Sequence, residues 1–206
     1  MNDTSSGSVR QSLITIIGTN DAPIITGVED GAGNALTATD LALVEDEGDE
    51  ETAQISTQNI SGTIEFDDVD VNSLAAADDN NADTHMVTAE VSSVSIGGVA
   101  QDLLVYAGPT GALTINAADL MAANMSNAVS NSVGFDFDIN DADFDFLAAG
   151  EVFSVTYTVT VMDDSGVGNA TSNPVEITFT ITGTNDAPVI TAGGSVSVAE
   201  TADTSN

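Results

Sequence analysis

The chain has 206 residues, and 33 Asp and Glu set against a single Lys or Arg give it a formal net charge of −32. A protein this acidic cannot neutralise a row of phosphates, which excludes nucleic acid as a partner, and an anionic membrane surface repels it. Hydrophobic residues still make up 42% and Cys is absent, so a core can be buried but no disulfide, thiolate metal site or thiol nucleophile exists.

In chain order, Leu13, Ile14 and Ile16 read as the end of a strand whose parent domain lies upstream. They run into Thr-Ile-Ile-Gly-Thr-Asn-Asp-Ala-Pro-Ile-Ile-Thr at 15–26, which returns at 180–191 with ten of twelve positions identical and an offset of 165 residues. Leu43-Val44-Glu45 starts the next strand, and Ile64 and Phe66 end another at Asp67. Val87, Ala89 and Val91, then Val94 and Ile96 after a phase slip, predict a strand with a bulge. Leu103–Tyr106 and Ala112–Ile115 flank Gly108-Pro-Thr-Gly111 and are expected to form a hairpin. A short helix follows, with Asn116 as N-cap, Asp119 in its first turn, and Leu120, Met121 and Met125 on its apolar side, the two Met read as core. Phe135, Phe137 and Ile139 alternate with Asp136 and Asp138; in Asp141-Ala-Asp143-Phe-Asp145-Phe146, Phe144 and Phe146 are expected inside and the Asp residues outside. The clearest strand has Phe153, Val155, Tyr157, Val159 and Val161 alternating with Ser and Thr; Asp163-Asp-Ser-Gly166 joins it to Val175, Ile177, Phe179 and Ile181.

Seven or more strands at this spacing predict an all-β fold, an antiparallel β-sandwich of immunoglobulin-like kind. The repeat predicts a tandem array: one complete module at 19–185, a terminal strand of the preceding repeat at 1–18, and the start of the following repeat at 186–206. A sandwich of this kind needs about 100 residues, so the longer period is assigned to an insertion at about 71–134 that contains the helix.

The acidic residues comprise 23 Asp and 10 Glu, and Asp favours loops and hard cations over regular structure. They gather at strand ends: Glu45 with Asp46 and Glu47, Asp67, Asp68 and Asp70, Asp163 and Asp164, and the junction pairs Asn20-Asp21 and Asn185-Asp186. Carboxylates, Asn side chains and loop carbonyls are the oxygen ligands of Ca²⁺, and carboxylates crowded together repel without a cation. Pro23 and Pro188 stiffen the chain beside each junction. These are not EF-hands: Ser73 and Phe146 stand where the loop of such a site needs Gly.

The Gly-Thr-Asn-Asp-Ala-Pro junction, Phe144-Asp-Phe-Leu-Ala-Ala-Gly-Glu151 and Tyr157-Thr-Val-Thr-Val-Met-Asp-Asp-Ser-Gly166 resemble the VCBS and bacterial cadherin-like repeats of very large RTX-type surface adhesins. The resemblance is strongest over 135–191 and in the first junction. It implies a cadherin-like sandwich with calcium between successive modules, on Asn20 and Asp21 or equivalently Asn185 and Asp186, with Glu45, Asp68, Asp70 and Asp163 as loop ligands. It further implies an extracellular, non-catalytic extender module, monomeric, at the bacterial surface or secreted, whose partners are neighbouring repeats of the same chain. A second reading has the 71–134 insertion forming a calcium-dependent pocket for a sugar or peptide. Nothing favours an enzyme: the lone His85 has no Cys or second His to share a metal, and no nucleophile-elbow pattern is present. No direct membrane contact is expected, since no apolar run approaches the roughly 20 residues needed to span a bilayer.

Overall fold

The structure, a computed structural model, describes residues 19–45, 57–69, 84–124, 128–164 and 170–185. It is an all-β sandwich of two sheets with one short helix. One sheet contains β1 (Ile24–Glu29), β3 (Thr57–Asp67), β7 (Ser130–Asn140) and β6 (Ala112–Ile115), in the order β1-β3-β7-β6. The other contains β2 (Ala42–Val44), β9 (Val175–Thr182), β8 (Val152–Asp163), β4 (His85–Ile96) and β5 (Val99–Ala100), in the order β2-β9-β8-β4-β5. Every pairing is antiparallel except that of β2 with β9, which is parallel, so the expected antiparallel sandwich carries one parallel edge. With β2 taken as the crossed-over continuation of β1 and the two-residue β5 as an added edge, the remaining strands divide four and three as in the immunoglobulin constant-type sandwich.

Side-chain alternation builds the core. On β7 Val133, Phe135, Phe137 and Ile139 point inward, and on β8 Phe153, Val155, Tyr157, Val159 and Val161 do the same. Phe137 of one sheet stacks on Phe179 of the other with ring centroids 3.9 Å apart, while Phe135 and Tyr157 meet Phe179 edge-on at 6.3 and 6.1 Å. Gly62 takes an inward position on β3 because a Cβ there would lie 2.7 Å from Leu36 Cδ1 and from Phe135 Cζ. The phase slip in β4 is a real irregularity: its register against β8 shifts between Val91 and Ser93.

Four local expectations need correction. Leu103–Tyr106 is a turn, because the Asp102 carbonyl accepts from Val105 and Tyr106 N–H and its carboxylate accepts from Leu104 N–H at 3.0 Å. That local bonding competes with strand pairing and leaves Leu104 94% exposed. Met121 is not core, being 64% exposed on α1 (Ala117–Asn124), whose buried residue is Ala123; Met125 lies outside the described residues. Its cap is as expected, with Asn116 Oδ1 accepting from Ala118 N–H at 2.9 Å and Asp119 N–H at 3.2 Å.

After β7, a 3₁₀ turn at Asp141–Asp143 and a further turn ending at Leu147 replace the alternation of two with a spacing of three. Asp141, Phe144 and Leu147 are consequently buried and Phe146 is half-exposed, which corrects the expectation for both Phe146 and Asp141. The stretch 71–134 supplies β4, β5, β6 and α1; β4 pairs with β8 along almost its whole length, and α1 packs against β7 and β4.

Tyr157 is buried, its hydroxyl donating over long distances to the carbonyls of Thr110 (3.4 Å) and Gly111 (3.3 Å). Burial raises its pKa above the ordinary phenol value. A raised folded-state pKa contributes stability that is complete below the unfolded value of about 10 and is lost as pH rises from there through the higher folded-state value. Alkaline unfolding followed at the tyrosinate absorbance band should thus begin above pH 10, and Tyr157→Phe should flatten it; an unchanged alkaline limb in that variant would refute the assignment.

Candidate functional site: two acidic ends of the sandwich

The registers place the acidic residues at opposite ends. β8 begins with Val152 opposite Thr182 and ends with Asp163 opposite His85. At about 3.3 Å per residue these ends lie roughly 36 Å apart. Described residues of the predicted set therefore form two groups. Asn20, Asp21, Asp67, Asp68, Asp163 and Asp164 lie where the chain enters the sandwich, and Glu45 and Asn185 lie where it leaves. Asp70 and Asp186 lie outside the described residues, as do the strand end expected at 13–16 and the start of the following repeat expected at 186–206.

At the entry end Asp163 is buried, and its Oδ2 accepts from Asn20 Nδ2 at 2.9 Å. A residue of the junction is thus tied to the far end of β8. Asp68 is also buried, and its Oδ2 lies 2.9 Å from His85 Nε2. The His85 ring packs 5.1 Å from Phe66, and Asn124 at the end of α1 bonds both backbone groups of His85, accepting at 2.6 Å and donating at 3.1 Å. Asp164 accepts from Thr84 Oγ1 at 3.0 Å, Asp67 sits between Ile24 and Ser130 in the sheet, and Asp21 is exposed.

At the exit end the Glu45 N–H continues the parallel ladder by donating to the Thr182 carbonyl at 3.0 Å. The Glu45 side chain is buried, and its Oε2 accepts from Thr184 N–H at 2.9 Å. Nearby, Gln58 Nε2 donates to the Val44 carbonyl at 2.8 Å and to Asp141 Oδ1 at 2.7 Å. Asn185 is exposed just beyond.

Three participants, His85, Gln58 and Asp141, were not assigned to a site from sequence. His85 falls in phase with Val87, Ala89 and Val91, which marks it as inward-facing, yet its lack of metal-binding company hid the role of its neighbour Asp68. Asp141 and Gln58 meet only because β3 and β7 pair, with Gln58 opposite Ile139. Elsewhere, Asp30 closes a turn by accepting from Ala32 and Asn34 N–H at 2.9 and 2.8 Å and from the Asn34 amide. The Asn34 hydrogen bonds hold its carboxyl below the ordinary carboxylate pKa.

Among the described residues, no three His, Cys, Asp or Glu side chains come together closely enough to hold a metal ion by themselves. Carboxylate and amide oxygens are nonetheless the type of donor that hard cations take. Asp68, Asp163, Glu45 and Asp141 are buried carboxylates in a chain whose only Lys or Arg is Arg10. Burying a carboxylate is costly unless it is compensated, and each of the four has a hydrogen-bond partner within the fold.

No protein family description matches the chain, and no curated protein matches it. Among solved structures it is similar to the CooA pilin subunit from enterotoxigenic Escherichia coli, with a TM-score of 0.38 and 14% identity over 78% of this chain and 98% of that one. Among the described residues, no helix is long and apolar enough to cross a membrane.

Proposed function

We propose that the chain is a non-catalytic, calcium-stabilised extender module of a large bacterial surface adhesin, acting in a tandem array of similar modules. The observation that carries this reading is the grip of buried carboxylates on the same repeated linker at both ends of the sandwich. Thr184 and Asn185 repeat Thr19 and Asn20 at the 165-residue offset. Glu45 holds the first of these positions through its backbone N–H, and Asp163 holds the second through its side chain. In an array, consecutive linker residues are gripped by the module upstream and the module downstream, so the oxygen donors of two modules converge on one linker. Each end of one module supplies part of that set, enough to take up Ca²⁺, and the neighbouring module adds the remaining donors.

The residues do the mechanical work. Glu45 fixes the exit of β9, Asp163 and Asn20 fix the entry to β1, and Pro23 restricts the segment between. A bound Ca²⁺ supplies charge neutralisation and multidentate oxygen coordination at this point. The linker then has fewer orientations open to it, and successive modules behave as a stiffer rod that carries a distal adhesive tip away from the surface. The 71–134 stretch, by this account, serves the sheets through β4 and β6 and closes one flank through α1.

Titration calorimetry of the intact chain with CaCl₂ tests this. Binding in the 10⁻⁴–10⁻³ M range typical of extracellular modules is expected. Glu45→Gln and Asp163→Asn should each weaken a different part of the isotherm, because they lie at opposite ends. Absence of heat in the unmodified chain, or an identical isotherm in both variants, would refute the reading.

A further inference from the structure

Beyond the polar linker, the two ends carry complementary apolar features. At the entry end, a groove of about 550 Å³ opens beside the first residues of β1, bordered by Pro23, Ile24, Val69, Val129 and Val175, with Asp21 and Asp67 on its rim. Ile24, Val69 and Val129 are 64, 61 and 46% exposed, so large side chains here have no apolar cover. At the exit end, Phe146 is 50% exposed on the turn after β7. That turn is anchored to the leaving chain: Gly150 N–H donates to the Gly183 carbonyl at 2.8 Å, and Gly183 N–H donates to the Glu151 carbonyl at 2.9 Å. A Cβ on Gly183 would lie 2.7 Å from the Ala148 carbonyl, so the turn lies directly against the strand exit.

We propose that the groove at the entry end receives Phe146 of the preceding copy of the module, making a direct apolar contact between neighbours in addition to the metal-dependent linker. This rests on the tandem-array reading above. The repeat supplies the distance argument. Ala22-Pro23-Ile24-Ile25, one wall of the groove, recurs as Ala187-Pro188-Val189-Ile190. Val189, the counterpart of Ile24, lies six positions after Gly183 beside the Phe146 turn, a span of at most roughly 22 Å. The knob and the groove of consecutive copies are therefore tethered within reach of each other at high effective concentration. The contact is heterologous, with different surfaces on the two partners, and such contacts propagate into open linear assemblies instead of closing into a dimer. An aromatic ring entering an apolar groove also removes from water the side chains that the isolated module leaves exposed.

The test is a chain in which residues 21–185 are repeated once after Asn185, joining an upstream and a downstream copy through one natural junction. Methyl NMR should show the Ile24 and Val129 signals of the downstream copy moved upfield of those of the upstream copy by the Phe146 ring. Phe146→Leu in the upstream copy should abolish that shift, while the same substitution in the downstream copy, which has no following groove, should leave it intact and control for folding. Equal methyl positions in the two copies, or a shift that survives the upstream substitution, overturn the contact. Small-angle scattering of the same chain with and without Ca²⁺ separates the two claims. Calcium-dependent stiffening without a methyl shift overturns the Phe146 contact and leaves the array reading standing. A Phe146-dependent shift without any effect of Ca²⁺ supports the contact and overturns the calcium junction.

Discussion

Raising Ca²⁺ from zero, in excess EDTA, to 10 mM at constant ionic strength is expected to raise the unfolding midpoint of the chain by roughly 5–11 °C for each site filled. The figure follows from two quantities. A site with a dissociation constant of about 10⁻⁴ M, held at about 100 times that concentration, adds about 2.7 kcal/mol. A chain of this size gains about 2–4 °C per kcal/mol. Constant ionic strength matters because at a net charge of −32 any salt screens self-repulsion and stabilises the fold without binding. Mg²⁺ at the same concentration is the control, since its small octahedral shell suits a flexible set of carboxylate and amide oxygens poorly. A midpoint that moves equally with Mg²⁺, or with neither ion, would reduce the buried carboxylates to structural groups and remove the basis of the junction mechanism.

Much of the sandwich was legible because it is written in alternation. Phe135, Phe137 and Ile139, and the longer series from Phe153 to Val161, each place one side of a strand in the core, and period two admits no other reading over such lengths. The bulge in β4 was legible for the same reason, as a break in phase. Where the pattern changes period the reading failed. Phe146 looks inward by alternation from Phe144, but the backbone had already entered a 3₁₀ turn, so Leu147 takes the buried place. Leu103–Tyr106 has the composition of a strand, yet a single Asp102 side chain diverts its backbone into a turn.

The acidic ends were legible as clusters but not as pairs. Charge and spacing located Glu45, Asp68 and Asp163 at strand ends. Which of them would be buried, and what each would hold, depends on register between strands distant in sequence. Asp163 meets Asn20 across 143 residues and Glu45 meets Thr184 across 139, and no local signal encodes such meetings. His85 shows the limit most clearly. Its inward phase could be read, but its pairing with Asp68 requires the ends of β3 and β4 to lie side by side in different sheets.

Replacing Phe179 with Ala should cost about 3–5 kcal/mol, the usual range for deleting a fully buried aromatic side chain. Phe179 is fully buried on β9, stacks on Phe137, and meets Phe135 and Tyr157 edge-on, so it joins the two sheets at the centre of the core. Set against a typical domain stability of about 5–15 kcal/mol, the loss is large, and urea denaturation should show it as a lower midpoint with an unchanged slope. Thr178 is the control: it is the preceding residue on β9 and faces solvent, sharing a hydroxyl contact at 2.9 Å with Thr156. Thr178→Ala should cost no more than about 1 kcal/mol. A Phe179→Ala cost close to that of Thr178→Ala would mean that the two sheets do not meet through this ring. The same variant also tests the separation of roles within the fold. Phe179 makes no described contact with Glu45, Asp68 or Asp163, and mutations at distant sites without shared partners add to within about 0.5 kcal/mol. The Ca²⁺ increment should accordingly be the same in Phe179→Ala as in the unmodified chain, because the core holds the sheets together while the acidic ends govern how one module is joined to the next.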